Sequence, residues 1–279
     1  MTKTWLITGS SRGFGRALAH HVLANGDHVV ATARRPEQLK DLADRHGDRV
    51  RTIALDVTDP AAARAAVQAA VDAFGRLDVV VNNAGYANTA PIEDIPEEDF
   101  RAQIETNLFG VVNVTKAALP VLREQGSGHF LQFSSIGGRV GGSPGLGAYQ
   151  TAKFAVEGFS EVLNAEVKPL GIKVTIIEPG GFRTDWGGAS MTALPVSPHY
   201  DQTVGAMNRY REETAATWPG DPARAAKIIT DITDLEEPPL RLLLGAGAVE
   251  MAAASSASRA AEAERWADVS RAADFPRGE

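Results

Sequence analysis

Tyr149 and Lys153 stand four residues apart in a stretch of helical spacing, so they share one helix face. A free phenol has a pKa near 10 and exchanges protons poorly at pH 7. An ammonium beside it favours the phenolate and moves that pKa toward the working range. The pair is suited to giving a proton to a substrate oxygen, or taking one from it. A carbonyl oxygen that becomes an alkoxide needs a second donor. Ser134 and Ser135, at the end of the preceding apolar run, are the candidates, although a serine there can also bond its own backbone.

A second chemistry is written near the start of the chain. Thr8-Gly9-Ser10-Ser11-Arg12-Gly13-Phe14-Gly15 joins an apolar run to a helical stretch. Glycines there let the backbone turn tightly and approach a diphosphate, and the next helix aims its N-terminal N–H groups at the same anion. The spacing is G-x-x-x-G-x-G rather than G-x-G-x-x-G. About 20 residues beyond such a turn, an acidic residue grips the ribose 2′-hydroxyl of NAD. Here Arg34 and Arg35 close the second apolar run instead. A carboxylate would repel a 2′-phosphate, whereas a guanidinium offers it a fork of donors. This predicts a preference for NADP(H), with NAD(H) possible.

These residues need a rigid frame. Apolar runs at 4–8, 28–33, 50–55, 77–81, 129–133 and 173–177 read as strands. Stretches at 14–24, 36–45, 60–74, 97–123 and 149–168 read as helices. Strands alternating with helices give βαβ units, and apolar runs without alternation give strands covered on both faces. The expectation is an α/β fold: one doubly wound parallel-sheet (Rossmann) domain over residues 1–279, with helices on both faces. Residues 180–220 lack a period and are expected to form a substrate loop or lid, carrying Trp186, Met191, Leu194, Tyr200 and Met207. A helix at 222–234 and a last strand at 240–244 follow. Residues 246–279 form a C-terminal extension, with a surface helix at 246–273 and a frayed end at 273–279.

Composition narrows the classes. A hydrophobic fraction of 44% excludes whole-chain disorder, and a net charge of −7 without a basic cluster argues against nucleic acid and anionic membranes as partners. With no cysteine, disulfides, thiolate metal sites and thiol nucleophiles are excluded. His20 and His21 are adjacent and point to different helix faces, while His28, His46, His129 and His199 are isolated, so no metal is expected. No signal peptide and no membrane span is evident, and a cytoplasmic protein is expected.

The turn resembles that of the short-chain dehydrogenase/reductase family, in the branch with a TGxxxGxG turn. Asn82-Asn83-Ala84-Gly85 is similar to the family's NNAG, Tyr149-Gln150-Thr151-Ala152-Lys153 to its YxxxK, and Pro179-Gly180 follows the expected sixth strand. These ordered motifs cover residues 4–184; the remainder agrees in length and element order. The resemblance implies Tyr149 as general acid or base, with Lys153 tuning it and holding the nicotinamide ribose. It implies Ser135 as the second donor. The Ser135–Tyr149 interval is one residue longer than usual, an excess that the loop at 139–147 can absorb, and this leaves Ser134 as the alternative. Asn107 matches the asparagine that helps hold a water near the lysine for proton relay.

The resemblance also places the cofactor on Gly9, Ser11, Arg12, Gly13, Phe14 and Gly15, with Arg12 adding a charge that favours NADP. Asp56 and Val57 fall at the adenine, and Asn83, Ala84 and Gly85 follow. Pro179, Gly180, Phe182 and Thr184 fall near the nicotinamide. The implied activity is an NADP(H)-dependent interconversion of a carbonyl and an alcohol. The substrate is expected to be a small hydrophobic molecule, and relatives pair through the helices carrying Asn107 and Tyr149, which suggests a homodimer. One alternative is a catalytically silent NADP(H)-binding regulator on the same fold. Another is a related lyase without nicotinamide, which Lys153 and the intact glycine turn argue against.

Overall fold

The structure is a computed structural model describing residues 2–184 and 191–275. In chain order its elements are β1 (Thr4–Ile7), α1 (Gly13–Ala24), β2 (His28–Ala33), α2 (Lys40–His46), β3 (Val50–Ala54), α3 (Pro60–Phe74), β4 (Val79–Asn82) and β5 (Ala87–Thr89). Then come α4 (Glu97–Ile104), α5 (Gly110–Gln125), β6 (Gly128–Phe133), α6 (Gly147–Val167), β7 (Ile172–Pro179) and β8 (Met191–Ala193). Last are α7 (Ala206–Thr214), α8 (Pro222–Ile232), β9 (Arg241–Leu244), α9 (Ala246–Arg265) and α10 (Ala267–Arg271).

Seven strands form one parallel sheet in the order β3-β2-β1-β4-β6-β7-β9. The order reverses between β1 and β4, which opens a crevice at the carboxyl ends of the strands. Successive side chains on a strand face opposite ways. Trp5 and Ile7 of β1 therefore join one core with Leu18 and Val22 of α1, Leu42 of α2 and Ile229 of α8. Leu6, between them, joins a second core with Val67 of α3, Val114 and Leu122 of α5, and Leu163 of α6. Both sheet faces are dry, and this explains why the strand sequences carry no polar alternation.

Helix ends follow sequence signals. Asp59 caps α3 by accepting from the Ala61 and Ala62 N–H groups, with Pro60 in the first helical position and Gly75 left-handed at the far end. Asp221 and Pro222 start α8 in the same way.

The structure departs from the sequence expectation in four places. The stretch expected as one helix over 97–123 contains a π-helical turn at Glu105–Phe109 between α4 and α5. Within the stretch expected as an aperiodic loop, β8 pairs in parallel with β5, and α7 follows. The C-terminal helix breaks at Trp266 into α9 and α10. Pro179 ends β7 rather than following it. Trp186, and residues 276–279 of the end expected to fray, lie outside the described residues. Among the described residues no helix is long and apolar enough to cross a membrane.

Candidate active site

A cleft of about 1640 Å³ runs over the carboxyl ends of the central strands. Its lining includes the turn after β1, Arg34 and Arg35 after β2, Asp56 and Val57 after β3, Asn83–Gly85 after β4 and Ser134–Ser135 after β6. The β1 turn is shaped by exclusion. Gly9 and Gly13 adopt φ of +67° and +55°, which side chains disfavour. Gly15 has an ordinary φ, but a methyl there would lie 2.4 Å from the Gly9 carbonyl oxygen and 2.5 Å from the Asn83 Nδ2. Arg12 is extended and stands at the N-cap of α1, which its side chain does not cap. A methyl on Gly13 would sit 3.7 Å from the Thr184 Cβ, so Thr184 flanks the turn.

The NNAG segment braces this turn. The Thr8 hydroxyl accepts from the N–H groups of Asn83 (2.9 Å) and Ala84 (3.0 Å) and donates to the Val81 carbonyl (3.1 Å). The Asn83 amide donates to the carbonyls of Thr8 (2.9 Å) and Gly9 (3.2 Å). Asn83 thus holds the turn in shape with its side chain. Phe14 packs against Phe133 and Phe182, so two expected cofactor residues, Phe14 and Phe182, put their rings into the core edge beneath the cleft. Asp56 engages the backbone and hydroxyl of Thr58. The Arg34 and Arg35 guanidiniums are exposed and pair with no carboxylate among the described residues.

Tyr149 and Lys153 are both buried on the face of α6 that lines the cleft. The Tyr149 hydroxyl is hydrogen-bonded to Ser135. Ser135 also accepts from the Gly137 N–H at 3.0 Å. Ser134 turns the other way and donates to the Lys153 carbonyl at 3.4 Å. The one-residue excess between Ser135 and Tyr149 is absorbed in the intervening loop, where Gly142 and Gly145 are left-handed.

The expected tuning of Tyr149 by Lys153 is not what this geometry gives. Burial pushes the phenol up to about 12, opposed by the Ser135 hydrogen bond. The Lys153 Nζ stands 5.7 Å from the Tyr149 ring centre and donates to the Phe133 carbonyl at 2.7 Å. Burial pulls Lys153 down to about 8, opposed by the Glu157 carboxylate one turn along α6. Asn107 sits fully buried within the π-helical turn, where a widened helix is a common mark of a functional segment. Its amide donates to the carbonyls of Tyr86 (2.9 Å) and Gln103 (2.8 Å), and its oxygen accepts from the Tyr86 N–H (3.1 Å). A methyl on Gly85 would lie 2.5 Å from that oxygen and 3.7 Å from the Lys153 Nζ. The structure therefore brings Gly85, Asn107 and Lys153 together.

The remaining wall comes from residues that the motifs did not single out. Asn88, Ser143, Leu146, Gln150, Thr192, Tyr210, Arg211, Trp218 and Met251 all line the cleft. Gln150 lies inside the YxxxK segment and accepts from the Ser143 N–H at 3.3 Å. Of the expected lid residues, Met191 packs on the Tyr149 cluster and Met207 lines the cleft. The Leu194 N–H donates to the Thr89 carbonyl, and the Tyr200 hydroxyl donates to Glu93 outside the lining.

The donor set fits a dinucleotide. A glycine turn that a methyl would fill faces a helix N-terminus, the exposed Arg34 and Arg35 guanidiniums stand at one edge, and Ser135 with buried Tyr149 and Lys153 lines the same cleft. Comparison with known proteins agrees. The family described as short chain dehydrogenase matches residues 3–193. Oxidoreductase BOA17 of Botryotinia fuckeliana is 53% identical over 273 residues, covering 98% of this chain and 99% of that protein. Among solved structures, a short-chain dehydrogenase from Streptomyces avermitilis is similar with a TM-score of 0.89 and 41% identity, covering 99% of this chain and 100% of the other. An alcohol dehydrogenase from Thermococcus sibiricus, complexed with 5-hydroxy-NADP, has a TM-score of 0.71 and 26% identity, covering 88% of this chain and 96% of that one.

Proposed function

Since the chain belongs to the short-chain dehydrogenase/reductase family and is an oxidoreductase, we propose that it interconverts a carbonyl and an alcohol, with NADP(H) preferred and NAD(H) possible. One observation carries the reading: the Tyr149 hydroxyl and Ser135 are hydrogen-bonded in the cleft whose lining also includes the glycine turn.

When bound, the nicotinamide exchanges a hydride with the substrate carbon. Gly9, Ser11, Arg12, Gly13, Phe14 and Gly15 hold the diphosphate, largely through backbone N–H groups. Arg34, Arg35 and Arg12 receive a 2′-phosphate. Asp56 and Val57 border the adenine, with Asn83, Ala84 and Gly85 beyond. Pro179, Gly180, Phe182 and Thr184 border the nicotinamide.

Tyr149 gives its proton to the carbonyl oxygen in reduction and takes it back in oxidation. Ser135 orients that oxygen and donates to it as charge develops. Lys153 would hold the nicotinamide ribose. Asn107 with Lys153 links the proton to water. Both Asn107 amide protons are already donated, so Asn107 serves by fixing the backbone beside Lys153. In this reading the chain works as one unit, Met207, Tyr210 and Trp218 border the substrate, and α9 adds a wall through Met251. Leu146, Met207, Trp218 and Met251 favour a substrate with an apolar body. Exposed Ile92 and Phe109, beside α4, support pairing of two chains there.

Paired equilibrium titrations with NADPH and NADH, followed by cofactor fluorescence, test the reading. Tight NADPH and weak NADH binding supports it, and turnover of a carbonyl panel with NADPH completes it. Preferential NADH binding overturns the cofactor preference alone. A folded protein that binds neither overturns the oxidoreductase chemistry and favours a silent member of the fold.

A further inference from the structure

Two cations are buried among the described residues, Lys153 and Arg211. Lys153 has the Glu157 carboxylate one turn away. Arg211, on α7, is 7% exposed and lines the cleft. Its partners are all neutral. Nη2 donates to the Ser143 Oγ (2.8 Å) and the Pro144 carbonyl (3.0 Å), and Nη1 to the Asn208 Oδ1 (3.3 Å). No carboxylate lies within ion-pair distance of it among the described residues.

A guanidinium has five N–H donors and stays charged at any working pH. Three of the five are engaged, which leaves Nε–H and one proton on Nη1. Burying a charge without a counter-ion is costly, and an anionic ligand that paired with it would offset that cost. Burial lowers the Arg211 pKa, and no neighbouring acid opposes this. Polar Asn88, Gln150 and Thr192 line the same cleft. Tyr149 packs with Leu146, two residues beyond Pro144, so Arg211 and the proton donor flank one short loop.

We propose that Arg211 binds a carboxylate of the substrate, so that the carbonyl compounds handled here are oxo-acids with an apolar body and the alcohols are the matching hydroxy-acids. The inference rests on the oxidoreductase reading and names its substrate class. The planar fork of Arg211 matches a carboxylate in shape as well as charge. Because Arg211 already ties α7 to the loop at Ser143 and Pro144, its guanidinium is held in place to receive the substrate's charge.

The test is calorimetric titration of the full-length protein, with NADPH present and absent. The probes are straight-chain oxo-acids of increasing carbonyl-to-carboxylate separation, each beside its methyl ester. At least one acid should bind roughly 100-fold tighter than its ester. Arg211→Gln should remove that preference, and Arg211→Lys should keep part of it. Acid and ester binding alike along the whole series, including no binding by either, would overturn the proposal on the wild-type protein alone. A preference that survives in Arg211→Gln would overturn it too. Turnover measured on the same samples judges the oxidoreductase reading separately: acids that bind through Arg211 but are never reduced count against that reading and leave the anion site standing.

Discussion

Lys153 is tethered to Phe133: its Nζ donates to the last carbonyl of β6 at 2.7 Å. The bond fixes the ammonium beside the cleft but leaves it buried, and burial pulls its pKa from 10.5 to about 8. Below pH 8 the folded protein holds a charge that the unfolded chain carries more cheaply. Between about 8 and 10.5 the unfolded chain binds the extra proton, so wild-type stability rises with pH across this window. Lys153→Met removes the cost, about 3 kcal/mol by the size of the shift, and orphans one carbonyl at about 1 kcal/mol. The variant should therefore be more stable at pH 7 by about 2 kcal/mol, a Tm rise of roughly 5 °C, while turnover is lost. Thermal melts at pH 7 and pH 10.5 check this. A gain that does not shrink at the higher pH would contradict the burial argument.

Much of the fold was legible because it rests on local rules. The strands of the large sheet carry apolar runs with no alternation, and the glycine turn is punctuated by residues that only a left-handed or crowded backbone needs. The spacing of Gly9, Gly13, Tyr149 and Lys153 was readable in the chain, and the structure brings these four to one cleft. What escaped is tertiary. β5 and β8 are three residues each, and neither Ala87–Thr89 nor Met191–Ala193 shows a strand pattern before the two meet. α7 is strongly polar, AMNRYREET, with little apolar stripe to mark it. The π-helical turn that holds buried Asn107 has no spacing signal in the sequence. Helical spacing places Lys153 on the same face as Tyr149 but does not say that its Nζ turns to Phe133.

Gly15 is needed for space rather than for conformation. A methyl there would stand 2.4 Å from the Gly9 carbonyl oxygen, and backbone cannot yield as a side chain does. Gly15→Ala should force the turn open, cost about 1–3 kcal/mol and weaken dinucleotide binding by about ten-fold or more. Gly158→Ala is the control, because its added methyl meets nothing within 4 Å. Chemical denaturation and NADPH titration of both variants decide the point. Equal behaviour of the two would show that the turn tolerates a side chain.

Arg34 tests the cofactor preference. Its guanidinium lines the cleft and has no carboxylate partner among the described residues. Replacing it with Asp swaps a charged donor for a repulsive acid at the 2′-phosphate position. Hydrogen bonds to charged groups contribute about 1.5–3 kcal/mol. Arg34→Asp should accordingly weaken NADPH binding by about ten- to hundred-fold and leave NADH binding nearly unchanged or improved. Raising the salt concentration should narrow the wild-type preference, since the site is exposed. Equal losses for the two cofactors would remove Arg34 from this role.

Tyr149 carries the sharpest test. Its phenol is pushed up to about 12 by burial, so across neutral pH it holds its proton. That suits donation to a carbonyl oxygen. Alcohol oxidation needs the phenolate instead, so its rate should climb with pH through the alkaline range while carbonyl reduction does not. Tyr149→Phe keeps the ring and loses the proton and the Ser135 hydrogen bond. Ser135 stays held by the Gly137 N–H, so the local backbone keeps its shape. Turnover should fall by about 10²–10⁴-fold in both directions, as for removal of a general acid or base. Cofactor binding should stay within about two-fold, because the turn that holds the diphosphate is untouched. The residual oxidation rate should also lose its alkaline climb. Near-normal turnover in Tyr149→Phe, or an unchanged pH profile, would break the mechanism and move the proton to another group in the cleft.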